Sequence, residues 1–187
     1  MGVNVMNILA GPVDVLVNDV GADEPTEDDF LTFNWASAGW RDVGGSNGGV
    51  KMVIAQSFGK VVADQTVDII ASLANERSVT AELSLLEMTM QNWVMINNGG
   101  TITSGDDGSK FEPITNTVAT PPDYEAVGLR GTSAASGKHG VLILRRTLVT
   151  SDVSFTFQKD QATMLGVTKT AHYVDADTPP FVFLQED

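Results

Sequence analysis

Residues suited to chemistry are few in this chain. His139 and His172 stand far apart, and neither has another histidine or a carboxylate at close ligand spacing. No HExxH or EF-hand pattern occurs. Gly131-Thr132-Ser133-Ala134-Ala135-Ser136-Gly137-Lys138-His139 has the outline of a phosphate-binding loop. That loop needs four residues between its glycines and a hydroxyl after its lysine. Here five intervene and His139 follows, so a hairpin loop is expected. Gly105-Asp106-Asp107-Gly108 is ordinary turn chemistry. No nucleophile elbow is expected. Cysteine is absent, which removes thiolate catalysis, thiolate metal sites and disulfides. Carboxylates are plentiful, but nothing in their spacing selects a catalytic pair. The expectation is a protein that is not an enzyme, with no catalytic residue, no cofactor and no metal.

Composition narrows the classes further. Among 187 residues, 24 acids oppose 11 bases for a formal charge of −13, and no base precedes Arg41. Nucleic-acid binders carry a basic face, so this chain is expected to be soluble and to adhere weakly to phosphate. A hydrophobic share of 42% against 19% charged residues suits a folded protein rather than a disordered one. No apolar run reaches the roughly 18 residues of a membrane span. The start, Met1-Gly2-Val3-Asn4-Val5-Met6-Asn7, lacks the basic residues of a secretory leader, so none is expected.

Any site must be positioned by strands. Val, Ile, Thr and Phe recur in short runs between Gly, Asn, Asp and Pro. Residues 3–17, broken at Gly11-Pro12, predict two short strands. Residues 19–29, acidic and without a base, predict a solvated loop. Residues 32–35 predict a short strand and residues 39–45 a turn. Further strands are expected at 50–57, 61–73 and 77–85, with turns at Gly59-Lys60 and Ala74-Asn75-Glu76. In the last of these strands Val79, Ala81, Leu83 and Leu85 alternate with Ser78, Thr80, Glu82 and Ser84, so one face is buried and one wet. In the strand before it, Val67, Ile69, Ala71 and Leu73 oppose Thr66, Asp68 and Ser72, with Ile70 breaking the polar face. Residues 86–97 predict one short helix with Leu86, Met90 and Trp93 at helical spacing, a Met-rich core face, and a stop at Asn98-Gly99-Gly100. Residues 101–122 predict loop. Residues 124–130, 141–149, 153–158, 162–173 and 181–184 predict strands, with a small-residue loop at 131–140. No repeat or domain boundary is visible. The fold class expected is mainly β, a β-sandwich or barrel-like domain over 1–187 with one flanking α-helix.

The middle of the chain carries a resemblance. Gly39-Trp40-Arg41-Asp42-Val43-Gly44, Gly49-Val50-Lys51, Ala63-Asp64-Gln65, Arg77-Ser78-Val79 and Leu85-Leu86-Glu87-Met88-Thr89-Met90-Gln91-Asn92 follow in order. This resembles the major tail tube proteins of siphophages, particularly those infecting actinobacteria. It is firmest from about Trp40 to Asn98, and the segments up to Pro179-Pro180-Phe181 are compatible with it. The resemblance implies a β-sandwich subunit with a flanking helix. It implies six copies per ring, inner sheets joined into one barrel, and stacked rings forming a virion tail conduit for genome ejection, assembled in the host cytoplasm. It implies partners: the chain itself, a tape-measure protein, and tail-tip or terminator proteins. DNA would pass through without specific binding, and no membrane insertion by this chain is expected.

Candidate residues follow from joining that role to the strand pattern. Asp68, Glu82, Thr66, Thr80 and Ser84 lie on polar faces and are candidates for a lumen. Six copies would bring roughly −78 formal charges to a ring, which repels phosphate if part of it faces inward. An outward solvated face fits the same residues. Asp23, Glu24, Glu27, Asp28 and Asp29, with Asp106 and Asp107 in the glycine-rich loop, are candidates for inter-ring contacts, against plain exposed loops. The alternative function is another β-sandwich module, a capsid decoration or carbohydrate-binding protein. Sugar binding would need exposed aromatics on one face, and Trp35, Trp40 and Trp93 form no obvious platform.

Overall fold

The computed structural model describes residues 11–62, 64, 68–115, 118–134, 136–155, 159 and 163–186. In chain order they form β1 (Val13–Asp19), β2 (Arg41–Asp42), β3 (Lys51–Val61), β4 (Ala71–Leu85), α1 (Met90–Ile96), β5 (Thr101–Ser104), β6 (Ser109–Glu112), β7 (Glu125–Thr132), β8 (His139–Val149), β9 (Leu165–Ala171) and β10 (Phe181–Gln185). One antiparallel sheet runs β2-β1-β7-β8-β9-β4-β3, with β10 also on β8, and β5 and β6 form a separate hairpin.

The sheet turns a corner at β8. Glu125 pairs with Thr147 and Val127 with Leu144, so Arg145 and Arg146 together oppose Ala126. Such a bulge swaps the faces of the strand beyond it. Before it, Val141 and Ile143 face outward; after it, Val149 joins Leu144 in the main core. The first part of β8 accordingly pairs with β10 and its last part with β9. Between the two layers lie Val15, Val17, Val127 and Leu129 on one side and Val79, Ala81, Leu83, Leu85, Leu165 and Val167 on the other.

Helix α1 closes this core with Met95 and Ile96. Thr89 caps it by accepting from the Asn92 amide. It stops at Asn98, which adopts a φ of 52° before Gly99 and Gly100. The helix is shorter than the expected 86–97. Leu86 instead donates its amide to the Gly45 carbonyl, holding the chain extended until the Thr89 cap.

Other expectations are corrected. Residues 32–35 are not a strand. Phe30 and Phe33 donate to the carbonyls of Thr26 and Asp29, making turns that lay Trp35 and Trp40 over the outer face of β1, β7 and β8. Gly128 lies beneath them, and a Cβ there would be 3.0 Å from the Trp35 ring and 3.1 Å from the Trp40 ring. The turn expected at 39–45 contains β2, paired with β1. Residues 101–122 contain the β5–β6 hairpin. Residues 153–155 form no strand; 3–10 and 156–158 lie outside the described residues.

One charged group sits inside. Lys169 is 1% exposed, and its Nζ lies 2.5 Å from Glu125 Oε2. Burial pushes the Lys169 ammonium pKa down, and Glu125 pulls it partly back. Arg41 faces the same carboxylate and donates to Asn92 Oδ1 at 2.9 Å. Asn92, fully buried, donates to the carbonyls of Val43 and Glu87 at 2.8 and 2.9 Å. This network ties β7, β9, β2 and α1 together. Glu125→Gln strands a buried cation and is expected to cost about 3–5 kcal/mol. Lys169→Met should cost less, because the half-exposed Glu125 keeps Arg41. The unfolded chain holds the lysine proton to higher pH than the fold does, so the Glu125→Gln deficit should shrink as pH rises toward the ordinary lysine range. Urea unfolding across pH measures both, and a larger loss for Lys169→Met would contradict this account.

Candidate assembly surface

Strands β3 and β4 pair from Lys51 with Glu82 to Val61 with Ala71. Strand β9 pairs with β4 only from Thr80 to Leu85. Residues 71–79 therefore have β3 as their strand partner among the described residues, and β3 ends the sheet. The result is an arm two strands wide. Burial along β4 records the change: residues 71–77 are exposed, then Val79, Ala81, Leu83 and Leu85 are buried in alternation. Yet the arm is apolar. Ile54, Phe58, Ile70 and Leu73 are 48%, 54%, 60% and 61% exposed, and Val61, Val62 and Ile69 are exposed too. One such residue is ordinary, but a group of them on a strand edge marks a surface awaiting a partner.

The arm corrects two expected turns and one expected strand. Gly59-Lys60 lies within β3 and Ala74-Asn75-Glu76 within β4, so the chain reverses only beyond Val61, where the Ile70 amide donates to the Val61 carbonyl at 2.9 Å. Ala74-Asn75-Glu76 holds a bulge: Ser57 pairs with Glu76 and Phe58 with Ala74, leaving Asn75 over. Gly59 makes room, since a Cβ there would lie 3.0 Å from the Asn75 amide group. The bulge also sorts side chains. By alternation Ile54 and Phe58 continue the core-side face, whereas Leu73, opposite Gly59, lies on the other. The arm thus presents apolar groups on both faces.

The polar face of β4 has the composition expected. Thr80, Glu82 and Ser84 are half-buried and stand opposite Thr170, Thr168 and Gly166 of β9. On the other side Lys51 is Glu82's partner, with Nζ at 2.9 and 3.1 Å from its two oxygens. Thr170 shares a 2.6 Å hydrogen bond with Thr150. Asp68 is not on this face. It is exposed in the reversal at the arm's tip, because residues 61–73 are not one strand. Thr66 lies outside the described residues.

The acidic loop candidates fall into two places. Asp23, Glu27 and Asp28 are exposed. Asp29 accepts from the Thr26 amide and hydroxyl at 2.7 and 2.8 Å, bonds that hold its carboxyl pKa below the usual range. Glu24 is engaged by Arg145, whose Nε donates to both carboxylate oxygens at 3.0 Å. The loop of residues 19–29 is thus pinned as well as wet, with Pro25 buried and Trp40 Nε1 donating to the Asp23 carbonyl at 2.8 Å. Asp106 and Asp107 are exposed at the β5–β6 turn, closed by Gly105 donating to Gly108.

Chemistry elsewhere is spent on packing. Between β7 and β8, Ser133 donates its amide to the Lys138 carbonyl, closing the turn of a hairpin. His139 Nδ1 shares a 3.0 Å hydrogen bond with Thr132, and His172 packs edge-on against Tyr124. Gly44-Gly45-Ser46-Asn47-Gly48 does have nucleophile-elbow spacing, contrary to expectation. It lacks the strand-to-helix turn of an elbow: Ser46 forms a bridge with Leu85, and strand β3 follows. Among the described residues no three His, Cys, Asp or Glu gather to hold a metal. Trp35 and Trp40 are buried, and Trp93 stacks with Phe111 and meets Phe155 edge-on, so none offers a sugar platform.

In the isolated protomer, hydrogen-bonded amides of residues 71–77 are expected to exchange at least about tenfold faster than those of 79–85, since nothing buries them. Equal protection in hydrogen exchange would show that the arm is already covered.

A mostly β chain with a projecting apolar arm was then compared with known proteins. No curated protein matches it. A family model described as phage tail tube protein matches residues 1–187. The chain belongs to the phage tail tube protein family.

Proposed function

We propose that this protein is the ring-forming subunit of a siphophage tail tube, with 1–187 acting as one β domain. Membership of the family makes it a structural component of a virion tail that assembles with itself and contacts other tail proteins. Beyond that, we infer hexameric rings that stack into the conduit for genome ejection. The observation that carries this is the β3–β4 arm, a pair of strands with no further strand on their edges among the described residues and with exposed apolar groups on both faces. Burying each such side chain against another copy contributes about 1.5–3 kcal/mol, and a free strand edge supplies hydrogen bonds as well. The polar face of β4 and β9, carrying Thr80, Glu82 and Ser84, then lines the lumen. Asp68 at the arm's tip, with Thr66 near it in sequence, belongs to the contact region. Asp23, Glu24, Glu27, Asp28 and Asp29 and the Asp106-Asp107 turn are the inter-ring loops.

DNA passes without specific binding, the tape-measure protein occupies the lumen before it, and tail-tip and terminator proteins cap the ends. Assembly takes place in the host cytoplasm. No helix among the described residues is long and apolar enough to cross a membrane. The family match is what supports a structural rather than an enzymatic role.

Ile70→Glu with Leu73→Glu is expected to abolish rings and tubes in negative-stain images and sedimentation. The protomer's own stability should move by no more than about 0.5 kcal/mol, since both side chains are exposed. Tubes of ordinary length from this variant would remove the arm from assembly. Shortening the Gly105-Asp106-Asp107-Gly108 turn should leave rings intact and reduce tube length; unaltered tubes would exclude that turn from ring stacking.

A further inference from the structure

The lumen assignment invites the idea that Glu82 repels DNA by its negative charge. The geometry points elsewhere: we propose that Glu82 neutralises Lys51, and that the passage surface formed by β3, β4 and β9 is non-adhesive because its one cation is matched and no other group there attracts phosphate. This rests on the tube reading above.

Lys51 and Glu82 are directly cross-strand partners on the wet face. The lysine Nζ reaches both carboxylate oxygens, at 2.9 and 3.1 Å. Around them on the same face stand Val53, Thr80, Ser84, Gly166, Thr168 and Thr170. Where β4 is flanked by both β3 and β9, these two are the charged residues that the strands place on the face, and Asp152 adds a second carboxylate to the same concavity from beyond β8. The arm's Glu76 lies farther out, opposite Ser57. The Thr170 hydroxyl is satisfied by that of Thr150, and the Thr168 amide donates to the Ser151 hydroxyl.

An exposed pair such as this adds only about 0–1 kcal/mol to stability, with side-chain exposures of 68% and 45%. Its effect on a passing phosphate is a different quantity. Charges this close cancel at the range of a screening length, about 8–10 Å, whether or not the bridge holds at every instant. A lone lysine repeated around each ring and along every ring would instead give a polyanion many phosphate contacts, each adding to a salt-dependent affinity. Four other cations have carboxylate partners: Arg130 with Asp14, Arg145 with Glu24, Lys169 with Glu125 and Lys110 with Glu112. Arg146, which alternation puts beyond Thr170 on the β8 side of this face, is held against the Tyr124 ring and the Tyr173 carbonyl.

The test uses assembled tubes, imaged first. Wild-type, Glu82→Gln, Lys51→Gln and the double variant are mixed with a short linear DNA duplex, and with the same duplex carrying a bulky protein at each end so that it cannot enter a tube. Glu82→Gln tubes are expected to retain the open duplex at least tenfold more strongly than wild type, in a salt-sensitive way, and not the capped one. Lys51→Gln and the double variant should behave like wild type. Thr168→Lys, which adds a cation beside Glu82 without breaking the bridge, should also retain the open duplex and supplies the measurement if Glu82→Gln fails to assemble. Indifference of both gain-of-charge tubes to DNA, or retention of the open duplex by Lys51→Gln or the double variant as strong as that by Glu82→Gln, overturns the proposal. Retention of the capped duplex as well places this face outside and overturns it too. Failure of the wild-type protein to form tubes at all would instead sink the tube reading.

Discussion

Backbone donors and acceptors of a β-strand must be paired or meet water, and β4 satisfies that requirement in two different ways along its length. Near Leu85 it runs between β3 and β9 over a buried layer. Toward Ala71 its strand partner among the described residues is β3, and side chains on both faces meet solvent. A two-stranded ribbon is marginal in water by itself. Here it is anchored by the covered half of the same strands, so an arm with unfilled edges can persist without a partner. The apolar residues it carries are tolerable on the protomer because few of them need to be lost from a core.

That arm needs a rigid base, and the base is built around a corner. The bulge at Arg145 and Arg146 lets β8 belong to two layers, and it hands one arginine to each side: Arg145 to Glu24 on the outer cover, Arg146 to the face of the Tyr124 ring at 3.9 Å. Close by, Lys169 and Glu125 hold the layers together from within. A buried ion pair is weak evidence for stability by itself. Its value here is positional, because a lysine in the core fixes the register of β9 on β8 that brings Lys169 to Glu125 of β7.

Much of the fold was legible in residue order. Alternation from Val79 to Leu85 identified both faces of β4, because a period of two is a direct consequence of strand geometry. Asn98-Gly99-Gly100 ended the helix for a local steric reason. The errors have physical causes as well. Gly59-Lys60 and Ala74-Asn75-Glu76 have turn chemistry, but cross-strand pairing absorbed both, the second by a bulge. Residues 32–35 have strand chemistry, yet their aromatic rings were worth more as a lid over Leu16, Ala126 and Ile143 than in a ladder. The β5–β6 hairpin was signalled by Gly105-Asp106-Asp107-Gly108 between two short runs and was hidden by their brevity. Of the lumen candidates, Thr80, Glu82 and Ser84 came together as alternation required; Asp68 did not, because its strand assignment depended on the misplaced turn.

The order of residues by itself determined the class of the protein: mainly β with one short helix, acidic, without cysteine, and bearing the spaced elements of a tail tube family. These are local or additive properties, set by side-chain type and period. The tertiary structure decided which strands have free edges, where the arm begins, and that Glu82 is matched by Lys51 rather than left as a bare charge. Each of those depends on register between strands distant in the chain, and a single extra residue such as Asn75 moves every side chain beyond it to the opposite face.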